Sequence, residues 1–192
     1  MKPIRAVAVF CGSRLGNDPA YPEAARVLGQ GLAKAGIAVI YGGGRTGIMG
    51  VVADAAIAAG GRVEGVIPDF LLKWEVAHTG LGALEVTDGM HSRKRRMFEL
   101  ADAFVALPGG VGTLDETIEV LSWRQLKLHD KPILLCDVGG CWAPLVAAID
   151  ATVAQGFAGS EVRGFVEVLD SAEAVLARLT ETAPVQPASS PK

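Results

Sequence analysis

Six short runs of Val, Ile, Leu and Ala alternate with helical patterns along nearly the whole chain, and this alternation limits the fold more than any single motif. The strand-like runs are Ile4–Cys11, Ile37–Tyr41, Arg62–Ile67, Asp102–Leu107, Pro132–Cys136 and Phe165–Val168. None alternates strictly between apolar and polar residues, as expected of strands covered on both faces. Between them a helical period marks Tyr21–Ala35, Gly47–Ala59, Gly89–Ala101, Thr113–Lys127, Trp142–Gln155 and Ser171–Leu179. Repeated βα units predict an α/β fold: a Rossmann-like, doubly wound parallel sheet in one domain over residues 1–180. Pro68–Asp88 breaks the rhythm and reads as a long functional loop. Residues 181–192, rich in Pro, Ser and Ala, read as a disordered C-terminal tail.

Half of the 192 residues are apolar, enough for one full hydrophobic core. A formal net charge of −3 argues against a nucleic-acid partner, which demands a basic face. No run is long enough for a membrane span, and Ala6–Phe10 is too short for a signal peptide, so a cytoplasmic protein is expected. Cys11, Cys136 and Cys141 form no CxxC pair and read as small buried residues in a reduced compartment.

Three glycine-rich turns follow strands, at the edge where ligands bind in such folds. They are Cys11-Gly12-Ser13, then Tyr41-Gly42-Gly43-Gly44-Arg45-Thr46-Gly47, then Pro108-Gly109-Gly110-Val111-Gly112-Thr113. Gly42, Gly44 and Gly47 match G-x-G-x-x-G, but the strand after them ends in Val66-Ile67-Pro68 without the acid that would bind a dinucleotide ribose. A mononucleotide or phosphosugar site fits better. The third turn opens a helix, so free backbone N–H groups and the helix dipole combine into a phosphate cradle, with Glu116 beside it.

In the helix over Gly89–Ala101, Arg93 and Lys94 project onto the apolar stripe of Met90, Met97, Leu100 and Ala101. A guanidinium there needs an anion, either a ligand or a structural partner; Lys94 can instead snorkel to solvent. Glu116 also has two readings. Thr113-Leu114-Asp115-Glu116 matches a capping box, whereas projection of the helix places Leu114, Ile118 and Leu121 in the core and Glu116 opposite, with Glu119, Val120 and Trp123. Near the helix start its carboxylate is expected to stay ionised. His78, His91 and His129 show no metal-ligand spacing.

Met90-His91-Ser92-Arg93-Lys94, followed by Pro108-Gly109-Gly110-Val111-Gly112-Thr113-Leu114-Asp115-Glu116, resembles the LONELY GUY (LOG) family of cytokinin riboside 5′-monophosphate phosphoribohydrolases. The earlier glycine turns and the stretch Trp123–Pro132 are similar too, so the resemblance runs from about Arg5 to Phe165. It implies hydrolysis of the N-glycosidic bond of an adenosine 5′-monophosphate, N6-substituted or plain, releasing base and ribose 5-phosphate. Arg93 and Glu116 are the implied catalytic pair. Implied substrate contacts are Ser13, Gly43, Gly44, Glu75, Met90, Arg93, Lys94, Gly109, Gly110, Val111, Gly112, Thr113 and Glu116. The resemblance also implies a homodimer, with the mixed face around Trp123 as its contact, and neither metal nor other cofactor. A non-catalytic cofactor carrier, like the molybdenum-cofactor carriers of similar fold, is the alternative.

Overall fold

The computed structural model describes residues 3–73, 78 and 80–181. Seven parallel strands form one sheet: β1 (Ala6–Phe10), β2 (Ala38–Tyr41), β3 (Val63–Pro68), β4 (Ala83–Thr87), β5 (Ala103–Ala106), β6 (Ile133–Cys136) and β7 (Val166–Leu169). Among the described residues five α-helices connect strands, α1 (Ala20–Lys34), α2 (Gly47–Ala58), α3 (Met90–Leu100), α4 (Val111–Gln125) and α5 (Ala143–Ala154), and α6 (Ala172–Thr180) follows the last strand. The strand order is β4-β3-β2-β1-β5-β6-β7. The chain thus steps outward from β1 to β4, then returns to the other side of β1, which makes the gap between β1 and β5 the topological switch point.

Successive residues of each strand point to opposite faces, and both faces are covered. Val7 and Val9 enter a core with Leu28, Leu32, Val52 and Val175, under α1, α2 and α6. Ala8 and Phe10 enter a second core with Met97, Phe104, Val120 and Ile149, under α3, α4 and α5. Phe104 stacks between Phe10 and Phe98, at centroid separations of 5.8 and 5.7 Å. This double burial is why the strands read as continuous apolar runs.

The predicted strands and helices are present, with ends shifted by a few residues. The segment read as one long loop instead contains β4 and a 3₁₀ turn over Leu71–Lys73. β4 (Ala-Leu-Glu-Val-Thr) is an edge strand paired with β3 and largely exposed, so it lacks the apolar signature of its neighbours. Glu181 closes α6, its N–H donating to the Ala177 carbonyl, so the first residue assigned to the tail belongs to the helix end. The rest of that segment, 182–192, lies outside the described residues.

Candidate active site

The loops after β1 and β5 meet at the switch point, where the Gly12 N–H donates to the Pro108 carbonyl at 3.1 Å. Helix α4 starts immediately behind them. Gly110 is its N-cap residue, no side chain caps it, and Leu114 is the first residue whose N–H reaches a carbonyl of the turn, that of Gly110. The N–H groups of Val111, Gly112 and Thr113 precede any intrahelical partner and point out of the helix end. A Cβ at Gly110 or Gly112 would meet no atom within 4 Å, so the approach to these donors is open. Gly109 is packed differently: a Cβ there would fall 2.1 Å from Thr113 Oγ1. A helix end with open N–H groups of this kind is suited to an anion.

Two expectations about α4 are corrected. Because the helix begins at Val111, Thr113 is its third residue and Glu116 lies in the second turn, so no capping box forms. The buried face carries Thr113, Glu116, Thr117, Val120 and Leu121, whereas Leu114 and Ile118 are 38% and 42% exposed. Apolar periodicity locates a buried face only when that face is apolar. Here the inward side is mixed: Thr113, Glu116 and Thr117 make its first half polar, and Val120 and Leu121 follow.

Arg93 is 7% exposed. Its Nε donates to the Val66 carbonyl at 3.1 Å and its Nη2 to the Gly42 carbonyl at 3.4 Å, so the ends of β3 and β2 hold the guanidinium. Nη2 also stands 3.9 Å from Glu116 Oε1. The buried position expected from the helical projection is therefore occupied, and the facing anion is Glu116. Burial pushes the Glu116 carboxyl up to about 7, against the pull of Arg93 in the opposite direction. This overturns the expectation of a permanently ionised group: near neutrality Glu116 exists in both protonation states and can exchange a proton.

Lys94 turns away from this pair. Its Nζ meets Asp115 and Glu119 on α4 at 3.0 and 3.1 Å. Partial burial pulls its pKa down, but the bonds to the two carboxylates outweigh that and hold it above the ordinary lysine value. Lys94 ties α3 to α4 and does not line the crevice.

The crevice encloses about 190 Å³ and brings together Ser13, Met90, Arg93, Gly110, Val111, Gly112, Thr113 and Glu116 from the expected set. Gly109 lines a neighbouring cavity of about 760 Å³, whose walls share Gly12, Ser13, Gly110 and Val111 with the crevice. Gly43 and Gly44 do not line the crevice; Gly42 does, together with Cys11 and Met49. Glu75 lies outside the described residues. The Cys11 thiol is pushed up by burial and stays neutral. Among the described residues no three His, Cys, Asp or Glu side chains gather to hold a metal ion, and no helix is long and apolar enough to cross a membrane.

Sequence reasoning missed Gly42 as a site residue because its contact lies 51 positions away. A Cβ at Gly42 would stand 2.0 Å from Arg93 Nη2. Gly42→Ala is therefore expected to displace the guanidinium from Glu116, with an unchanged circular-dichroism spectrum. A crystal structure of the variant checks the displacement.

The sequence model of the family described as "possible lysine decarboxylase" matches residues 49–179. Over 176 residues the chain is 42% identical to the cytokinin riboside 5′-monophosphate phosphoribohydrolase of Rhodococcoides fascians, covering 91% of this chain and 89% of that protein. Over 180 residues it is 41% identical to the cytokinin riboside 5′-monophosphate phosphoribohydrolase LOG of Oryza sativa subsp. japonica, covering 94% and 74%. Among solved structures, the molybdenum cofactor carrier protein from Chlamydomonas reinhardtii superposes with a TM-score of 0.69 at 20% identity, covering 91% of this chain and 95% of that one. The molybdenum cofactor binding protein from Rippkaea orientalis superposes with a TM-score of 0.68 at 20% identity, covering 93% and 96%. These two likenesses show the fold.

Proposed function

The chain belongs to the LOG family of cytokinin riboside 5′-monophosphate phosphoribohydrolases, and from that premise we propose that Arg93 and Glu116 hydrolyse the N-glycosidic bond of an adenosine 5′-monophosphate bound at the α4 N-terminus. The single observation that carries this reading is a buried carboxylate and guanidinium 3.9 Å apart, in a crevice whose wall is also the first turn of α4. The 5′-phosphate docks on the N–H groups of Val111, Gly112 and Thr113, where the helix dipole favours an anion. That contact sets the ribose between the cradle and the pair.

Cleavage passes through an oxocarbenium-like state, as in other glycosyl hydrolysis. The C1′–N bond breaks with its electron pair leaving on the base, which takes up a proton from solvent. Ionised Glu116 stabilises the cation, orients a water against C1′ and takes one of its protons. Its poise near 7 suits that exchange. Arg93, always charged, holds the substrate and keeps Glu116 partly ionised, and it does not serve as a proton donor. Decarboxylation of lysine through a Schiff base finds no support here, because the lysine beside the site, Lys94, is held as an ammonium by Asp115 and Glu119. A carrier needs the cradle but not the pair, so the pair favours the enzyme.

The homodimer contact lies on the outer face of α4. Leu114 and Ile118 are exposed there, in line with Val111 at 82% exposure. Trp123, by contrast, is half-buried and packs edge-on to Phe98 at 5.0 Å. Ile118→Asp is expected to convert a dimer into a monomer in sedimentation analysis; a monomeric parent protein would contradict this placement.

Hydrolysis is tested by running the reaction in water enriched in the heavy oxygen isotope. Label at C1 of ribose 5-phosphate is expected. Labelled product absent while free base accumulates would assign the ribosyl group to another acceptor.

A further inference from the structure

Outside the crevice, a fully bonded titratable side chain stands close to the site: His78, which is 7% exposed. Its Nδ1 accepts the Gly80 N–H at 3.0 Å, and its Nε2 faces Asp54 Oδ1 on α2 at 2.8 Å. A ring nitrogen that accepts a hydrogen bond carries no proton, so Nε2 is the protonated one and donates to Asp54. The backbone N–H of His78 then donates to the Gly43 carbonyl at 3.1 Å. One residue thereby joins α2, the approach to β4 and the turn after β2.

That turn is Gly42-Gly43-Gly44, and three consecutive glycines have the greatest backbone freedom to lose on ordering. Among the described residues, two donors pin its successive carbonyls. Arg93 Nη2 holds that of Gly42, and the His78 N–H holds that of Gly43. The first pin is the catalytic guanidinium itself, which can be aimed only as well as the peptide it grips. The second pin is independent of the substrate and is anchored on a helix.

We propose that His78 is a positioning residue for the hydrolysis: clamped by Asp54 and Gly80, it fixes the glycine turn whose carbonyl aims Arg93 into the crevice. The inference rests on Arg93 being catalytic. It predicts that His78 acts through Arg93 and not through the phosphate cradle, with which it shares no described contact.

The test is a double-mutant cycle on the full chain, reading base release from the nucleoside monophosphate. His78→Ala is expected to lower kcat roughly 10- to 100-fold, because misplacement away from the chemistry costs rates of that size, with KM changed less than about threefold. In an Arg93→Ala background the same substitution is expected to cost nothing further. His78→Gln, which keeps a donor toward Asp54, is expected to recover part of kcat. Should His78→Ala not fold, His78→Gln and Asp54→Ala carry the cycle. An unchanged kcat in folded His78→Ala, or losses that multiply in the double variant, would overturn the proposal. A wild-type protein without activity would instead remove the hydrolase reading. Hydrogen exchange of the Arg93 Nε–H by NMR then decides the positioning claim, expected to quicken at least tenfold in His78→Ala and to overturn it if unchanged.

Discussion

Glu116→Gln is expected to lower the rate of base release by about 10²–10³-fold, the usual loss on removing a preorganised electrostatic contact, while making the folded protein more stable above neutral pH. Both effects have one origin. Burial raises the carboxyl to about 7 from an ordinary 4.5, so folding favours its protonated form. A group raised in this way contributes stability that is fully present below the unfolded value and lost as pH rises through the folded one. Between pH 4.5 and about 7, therefore, the wild-type protein loses stability that a neutral glutamine does not lose. The difference levels off above that window at a few kcal/mol, since a tenfold change in proton affinity is worth about 1.4 kcal/mol. Denaturant unfolding at pH 5 and pH 8.5 checks it: the curves of the two proteins are expected to lie close together at the lower pH and apart at the higher. In the wild-type enzyme kcat/KM, which reports the unliganded protein, is expected to rise as pH passes through about 7, as the ionised carboxylate forms, and that limb is absent in the glutamine variant. A folded Glu116→Gln protein with near-normal turnover would remove Glu116 from the chemistry.

Arg93→Ala is expected to be damaging in both respects. Catalysis falls by 10²-fold or more on the order of effect typical for a transition-state contact. Stability falls as well, by about 3 kcal/mol or more, because the carbonyls of Val66 and Gly42 lose their donor and Glu116 is left buried without its counter-charge. The loss is expected to be larger at pH 8.5 than at pH 5, where Glu116 is protonated. Arg93→Lys keeps the charge but not the planar fork that reaches two carbonyls and Glu116 together, so most of the activity goes. The double variant Arg93→Met with Glu116→Gln is expected to regain stability over Arg93→Ala without regaining turnover. Paired unfolding and kinetic measurements check this, and a double variant no more stable than Arg93→Ala would show that the uncompensated carboxylate is not the cause.

How much of the fold and site is legible in the sequence depends on what each residue contacts. β1 and β5 are plain because Val7, Val9, Phe104 and Val105 are buried on two faces at once. β4 is not, because an edge strand with Val86 half exposed needs no apolar run. Arg93 is legible for the opposite reason: a cation on an apolar stripe must have a partner. The inner face of α4 escapes because its buried members include threonines and a glutamate, which a hydrophobic projection assigns to solvent. The protonation of Glu116 escapes with it, since a carboxyl expected at an open helix end is in fact 9% exposed. The grip of Gly42 on Arg93 and of His78 on Gly43 joins residues far apart in sequence, and no local pattern encodes it.

The most direct measurement is chromatographic detection of free base after incubating the purified protein with AMP, with an N6-isopentenyl AMP, and with the matching nucleosides. Release from the monophosphates and not from the nucleosides is expected, because in the proposed reading the phosphate docks on the first turn of α4 and sets the ribose against Arg93 and Glu116. Equal release from nucleosides would contradict the cradle, and no release from any of them with nucleotide binding intact would make the chain a carrier.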